Sequence, residues 1–151
     1  MSKNIDIEDS VVRYLETLCE VADREGIETL TKPERVVVLV WWGKALVDNG
    51  GFQFFYEGTS NAEDVATAFS EIGINTIAEA FRRSLNVFTS QSFEFDPTTR
   101  YKRSSYSVAD VGAVFTELNG IVWGVDEPEL LEILYGYIKA NRSSFEHIQI
   151  I

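Results

Sequence analysis

The sequence predicts an all-α protein: a compact bundle of about five to seven helices around one buried hydrophobic central helix. Three observations predict it. Apolar residues recur at spacings of three and four in most segments. Several segments open on a capping residue and close on glycine. One stretch, Val36 to Val47, is apolar on nearly every side, as a helix enclosed by others would be. With 151 residues and a hydrophobic share of 45%, the chain has the size and composition of one folded domain. Residues 1–151 are therefore expected to form a single acidic helical domain.

The first helix is expected to begin near Asp9 or Ser10 and to end before Gly26. Val11, Leu15, Leu18 and Ala22 share one face, with Val12 and Cys19 beside them. Cys19 thus reads as a core residue and not as a nucleophile. Thr31 and Glu34 have the spacing of a capping box, and Pro33 suits a first helical turn. The run Val36-Val37-Val38-Leu39-Val40-Trp41-Trp42 that follows is rich in β-branched residues, so a strand is the alternative there. The cap, and the continuation through Lys44-Ala45-Leu46-Val47, favour a buried helix. Asp48-Asn49-Gly50-Gly51 stops it, and Phe52-Gln53-Phe54-Phe55-Tyr56 supplies an aromatic cluster in a short helix or turn.

Ser60 or Asn61 opens a third helix with Val65, Ala68 or Phe69, and Ile72 on its inner face, ending at Gly73. Asn75 is expected to cap a fourth, with Ile77, Phe81, Leu85 and Phe88 inward. The connection is short enough to make a packed helix pair. Ser90 to Ser107 is the least regular stretch, with a turn signal at Asp96-Pro97. A helix from about Val108 to Leu118 is expected to be broken by Asn119-Gly120. A last one opens at Asp126-Glu127-Pro128-Glu129 and carries Leu130, Leu134 and Tyr137, supported by Leu131 and Ile138. Trp41, Trp42 and Trp123 read as core residues.

The formal charge is −11. Such an excess repels nucleic acid and anionic membranes, so an electrostatically steered partner would be basic. Cys19 is the sole cysteine, which rules out an intrachain disulfide. The residues from Met1 to Asp6 lack the pattern of a signal peptide. The longest apolar run is too short to span a bilayer and contains Lys44. A cytoplasmic location is the resulting expectation.

The segment Asn49-Gly50-Gly51-Phe52, followed by Phe55 and Tyr56, resembles the signature of the DNA-mimic protein family. The order of elements around it is also similar: a hydrophobic helix before the motif, a helix pair with Ile72-Gly73 after it, then an acidic helix and an aromatic tail reaching Phe145. The resemblance extends over roughly residues 10–146. Phe54 stands where the family commonly has glutamine, and Gly58 where it often has asparagine. The resemblance implies a small all-helical domain that presents carboxylates in a DNA-like array and occupies the DNA-binding surface of a regulator. The physical reading of the motif itself is structural: paired glycines turn the chain and the aromatics fill the core.

The chain's own charges supply a candidate surface. Asp9, Glu16, Glu20 and Asp23 fall on one face of the first helix, opposite its apolar stripe, with Arg13 interrupting them. Carboxylates four residues apart stand about 6 Å from each other. The row extends about 21 Å at a rise of about 1.5 Å per residue. Phosphates advance about 3.4 Å along a DNA strand, so the row imitates a sparse phosphate line. Glu57, Glu63, Asp64, Glu71 and Glu79 make a second acidic group, and Asp126, Glu127, Glu129 and Glu132 a third. Arg82, Arg83, Arg100, Lys102 and Arg103 concentrate positive charge in the middle, to pair internally or to form a separate contact surface.

Catalytic patterns are lacking. His147 is the only histidine, one histidine and one cysteine do not make a usual zinc site, and no phosphate loop or nucleophile elbow is present. No catalytic residue, metal or cofactor is expected. The expected function is binding of a basic protein, either a DNA-binding regulator or, alternatively, a toxin such as a nuclease held by an immunity-like inhibitor. A small hydrolase using a carboxylate pair is a third reading. No direct nucleic-acid or membrane contact is expected.

Overall fold

The structure, a computed structural model, describes residues 2–58, 61–90 and 109–145. They form six α-helices and no strand among the described residues: α1 (Ser2–Glu25), α2 (Lys32–Glu57), α3 (Ala62–Glu71), α4 (Asn75–Ser90), α5 (Ala109–Trp123) and α6 (Glu127–Ala140). The run after Thr31 is therefore helical despite its valines. None of the described helices is long and apolar enough to cross a membrane. Ser60, the stretch Ser90 to Ser107 apart from Ser90 itself, and His147 lie outside the described residues.

The chain packs as two compact units. The first comprises Met1–Trp41 and Val125–Ile151. In it α1 packs against α6. The apolar face of α1 is as expected: Val11, Leu15, Leu18 and Ala22 are buried, joined by Val21. On α6 the buried residues are Leu130, Leu131, Leu134 and Ile138, with Tyr137 half-buried. The helix α1 starts at Ser2, earlier than Asp9 or Ser10. Polar residues resemble caps in a sequence, but Asp9 lies on the solvent side of an uninterrupted helix.

The capping box at the start of α2 forms as read. The Thr31 N–H donates to Glu34 Oε1 at 2.9 Å, and the Glu34 N–H donates to Thr31 Oγ1 at 3.3 Å. The same threonine hydroxyl donates to the Ser144 carbonyl at 2.7 Å. That bond ties the start of α2 to the 3-10 turn Arg142–Ser144, and Phe145 beyond it is buried. Asp126 caps α6 by accepting from the Glu129 N–H, with Pro128 in the first turn.

The second unit is Trp42–Gly124. Within it α3 packs on α4, and α4 on α5. Asn61 caps α3 by accepting from the N–H groups of Glu63 and Asp64. The helix ends in a Schellman motif. The Gly73 N–H donates to the Ser70 carbonyl and the Ile74 N–H to the Phe69 carbonyl, with Gly73 at φ +83°. Ile74 and Phe69 are both buried, which supplies the hydrophobic contact of that motif. One consequence corrects the expected cap of α4. Asn75 is already helical, and the Ala78 N–H bonds to the Ile74 carbonyl. Ile77 and Phe81 are buried and Leu85 half-buried; the Phe88 side chain lies outside the described set.

The core of this unit is aromatic. Phe52 lies 4.9 Å from Phe81 between ring centroids, Phe55 lies 5.1 Å from Phe81, and Phe69 stacks on Phe81 at 5.7 Å. Tyr56 stacks on Phe115 at 6.0 Å. The Tyr56 hydroxyl shares a 2.6 Å hydrogen bond with the buried Ser84 hydroxyl, so its polar end is satisfied inside an apolar cluster.

Two expectations about α5 are corrected. The helix runs through Asn119-Gly120 and ends at Trp123. Trp123 is not a core residue: it is 52% exposed, while Trp41 and Trp42 are half-buried. The reasons for both lie at the glycine pair described below.

Replacing Asn61 by Ala removes the acceptor for two N–H groups at an exposed helix start. Urea denaturation should show a loss of about 1 kcal/mol, within the usual range of roughly 0.5–2 for such caps. A change below the error of the fit would show that the Asn61 cap contributes nothing to stability.

Candidate functional site

The carboxylate row sits where α1 is amphipathic. Burial of Val11, Leu15, Leu18 and Ala22 fixes the roll of the helix, so Asp9, Glu16, Glu20 and Asp23 face solvent, and all four are exposed. Arg13 is exposed with them. Among the described residues none of the four is in an ion pair. Their field is felt at Cys19. Its thiol is pushed up to about 12, first by burial and then by the charges of Glu16 and Glu20. Cys19 is half-buried at the edge of the apolar face, and so lies less deep than the core position expected of it.

The other charged groups separate by unit. Asp126, Glu127, Glu129 and Glu132 are exposed and belong, like the α1 row, to the first unit. The sequence of that unit carries 14 Asp and Glu against seven Lys and Arg, a net of −7 out of −11. In the second unit Glu57, Glu63, Asp64, Glu71 and Glu79 are exposed. There Arg82 Nε lies 3.9 Å from Glu63 Oε1, and Arg83 Nη2 lies 3.3 Å from Glu117 Oε1. Lys44, buried, donates to both oxygens of Asp48 at 2.9 and 2.8 Å. Of the two alternatives for the basic residues, internal pairing holds for Arg82 and Arg83. Arg100, Lys102 and Arg103 lie outside the described residues.

The Asn49-Gly50-Gly51-Phe52 motif breaks α2 from within. Gly50 has φ −157° and ψ 16°, and Gly51 has φ +74° and ψ −174°, both non-helical. Gly51 is buried against α5: a Cβ placed there would stand 2.6 Å from Asn119 Nδ2. The side chain of Asn119 occupies the space a larger residue would need, and its Oδ1 accepts from the Phe52 N–H at 2.8 Å. This is why Asn119 does not end α5: its polar side chain is satisfied outside its own helix. One turn later, Trp123 Nε1 donates to the carbonyl of buried Val47 at 2.9 Å, while its ring stays half exposed. Past the break, Phe52, Phe55 and Tyr56 are buried, while Asn49, Gln53 and Phe54 are exposed. The motif is thus a structural device. Sequence reading missed Asn119 and Trp123 as its partners; their spacing of four on one helix was the signal available.

No group of His, Cys, Asp and Glu among the described residues is arranged to hold a metal ion.

An all-helical chain with an exposed acidic helix face and a glycine break sealed by a neighbouring helix defines a small acidic α-domain protein. It belongs to the DMP19-like protein family, whose match covers residues 28–141. The glycine-aromatic motif and the acidic start of α6 fall inside the match, whereas α1 with its carboxylate row falls outside it. The similarity is therefore narrower than the span 10–146 read from the sequence. Searches of curated proteins and of solved structures gave no match.

Gly51→Ala should cost about 2–6 kcal/mol, combining a backbone penalty of about 1–3 for a side chain at φ +74°, ψ −174° with overpacking of about 1–3. Gly120→Ala, in an open helical position, should instead be neutral or gain up to about 1 kcal/mol. Equal effects of the two in denaturant titrations would contradict the packing of Gly51 against Asn119.

Cys19 gives a second test. Its pKa rises from 9.0, the ordinary value of a free thiol, to about 12 in the fold, so the unfolded chain ionises first. The associated stability is fully present below pH 9 and is lost as pH rises toward 12. Cys19→Ser should flatten that decline. Native alkylation at about pH 8 should run at least about 100-fold slower than after denaturation.

Proposed function

We propose that the chain is an acidic macromolecule-binding protein of the DNA-mimic type, whose carboxylates occupy the basic DNA-binding surface of a regulator. The observation that carries this reading is the row Asp9, Glu16, Glu20 and Asp23: exposed, on one helix face and free of ion pairs among the described residues. Membership of the DMP19-like family supports it independently, because that match does not include α1. The acids of α6 add to the negative field of the same unit.

The mechanism is competitive occupation. Carboxylates take the place of phosphates opposite Arg and Lys of the partner, and water and salt compete with each exposed pair. Such complementarity acts mainly on the rate of encounter and on partner choice. The reading assigns no catalytic step to the chain and needs no cofactor. Its partner is a basic DNA-binding protein, and neither nucleic acid nor membrane is contacted directly.

Capture from the native cell at low salt, with elution along a salt gradient, identifies the partner. A basic DNA-binding protein whose DNA complex is competed away by this chain is the expected result. Recovery of a toxin released in active form would replace this reading with the inhibitor one. With the partner in hand, the Glu16→Lys, Glu20→Lys double variant should slow association at least about tenfold at low salt and leave dissociation nearly unchanged. Unaltered association would remove the α1 row from the interface.

A further inference from the structure

The non-helical backbone at Gly50 and Gly51 interrupts the regular course of α2. One backbone group on each side of the break bonds to α5. The indole of Trp123 donates to the Val47 carbonyl on the near side, and Asn119 accepts from the Phe52 N–H on the far side. The two residues are four apart on one helix, so they stand on one face, one turn from each other.

We propose that Asn119 and Trp123 form a two-point latch that holds the Gly50-Gly51 hinge closed, and that the latch opens from its Trp123 end. The two points differ in surroundings. Trp123 is 52% exposed and is the last residue of α5, and the chain beside Val47, from Asp48 to Gly50, is exposed. Val47 itself is fully buried, as Phe52 is, so water reaches that bond only from the side of the exposed indole. Asn119 is half-buried against buried Gly51, and the amide it holds belongs to Phe52, which is fully buried and in ring contact with Phe55, Tyr56, Phe81 and Phe115. Releasing that second point exposes an amide inside an aromatic core. The first point therefore opens in local fluctuations, and the second only when the aromatic cluster itself comes apart. The hinge has a rest position and one low-cost excursion, in which the Trp123 ring swings off while Phe52 stays anchored.

Hydrogen exchange on the full-length, 15N-labelled protein tests this. The Trp123 indole signal is identified by its loss in Trp123→Phe, a variant that keeps an aromatic ring and removes only the donor. In the wild type, the Phe52 amide should be protected at least about 30-fold more strongly than the Trp123 indole N–H, each relative to its own unstructured rate. In Trp123→Phe the Phe52 amide should keep its protection within about threefold. In Asn119→Ala it should lose about tenfold or more, and Asn119→Asp, which keeps an acceptor oxygen, should restore part of the loss. Equal protection of indole and amide in the wild type would mean a single cooperative opening and would overturn the proposal. So would a Phe52 amide unmoved by Asn119→Ala. The wild-type comparison decides the order of opening even if Asn119→Ala does not fold.

Discussion

A backbone at φ +74° in a buried position admits glycine and little else, because a Cβ there meets both its own carbonyl and whatever lies opposite. At Gly51 what lies opposite is the Asn119 side chain, closer than any side chain at residue 51 would allow. Much of the second unit depends on this one approach. It lets Asn119 reach the Phe52 N–H, and that bond sets the direction in which Phe52–Glu57 resumes as a helix. The direction in turn sends Phe52, Phe55 and Tyr56 inward to Phe81 and Phe115. An aromatic cluster of this size buries its rings only if they arrive on the same side, and a straight continuation of α2 would have rotated them. The glycine pair therefore acts through geometry, and the energy comes from the rings it orients.

Several charges of the second unit are paired, whereas the α1 row is unpaired among the described residues. In the second unit the arginines of α4 lie beside Glu63 and Glu117, and Lys44 is drawn out of solvent onto Asp48. The exposed arginine pairs contribute little to stability, but they reduce the long-range field. In the first unit Asp9, Glu16, Glu20 and Asp23 face water with no such partners among the described residues. Like charges so placed repel one another and cost some stability. The upward push of Glu16 and Glu20 on the Cys19 thiol is a local sign of that field.

Most of the helices were legible in the sequence because their signals are local. The Thr31–Glu34 box, the Asn61 and Asp126 caps and the Gly73 stop each depend on bonds spanning a few residues. The α1 row was legible for the same reason, since helical spacing alone puts four acids opposite four apolar residues. What was not legible depends on residues distant in sequence. Asn119-Gly120 carries the local chemistry of a helix stop, yet the asparagine is used 67 positions away at Phe52. Trp123 has the composition of a core residue, but its indole N–H is committed to the Val47 carbonyl and its ring stays half exposed. Gly51 was legible as permissive, not as crowded, because crowding is a property of the partner helix.

The family match begins at residue 28, so nothing in it accounts for α1. The place of that helix is nonetheless constrained by residues inside the match. Its apolar stripe is buried and the helix packs against α6, whose buried Leu130, Leu131, Leu134 and Ile138 all fall within residues 28–141. A helix with one apolar face has one way to dock, and docking it turns the opposite face outward. Asp9, Glu16, Glu20 and Asp23 are thus displayed as a consequence of how α1 is held. A change to the acids alters the charge presented to a partner and leaves the apolar docking surface untouched, whereas a change to Leu15 or Leu18 would disturb both. Position and charge on this helix are therefore separable, which allows an electrostatic role for the row to be distinguished from a structural one.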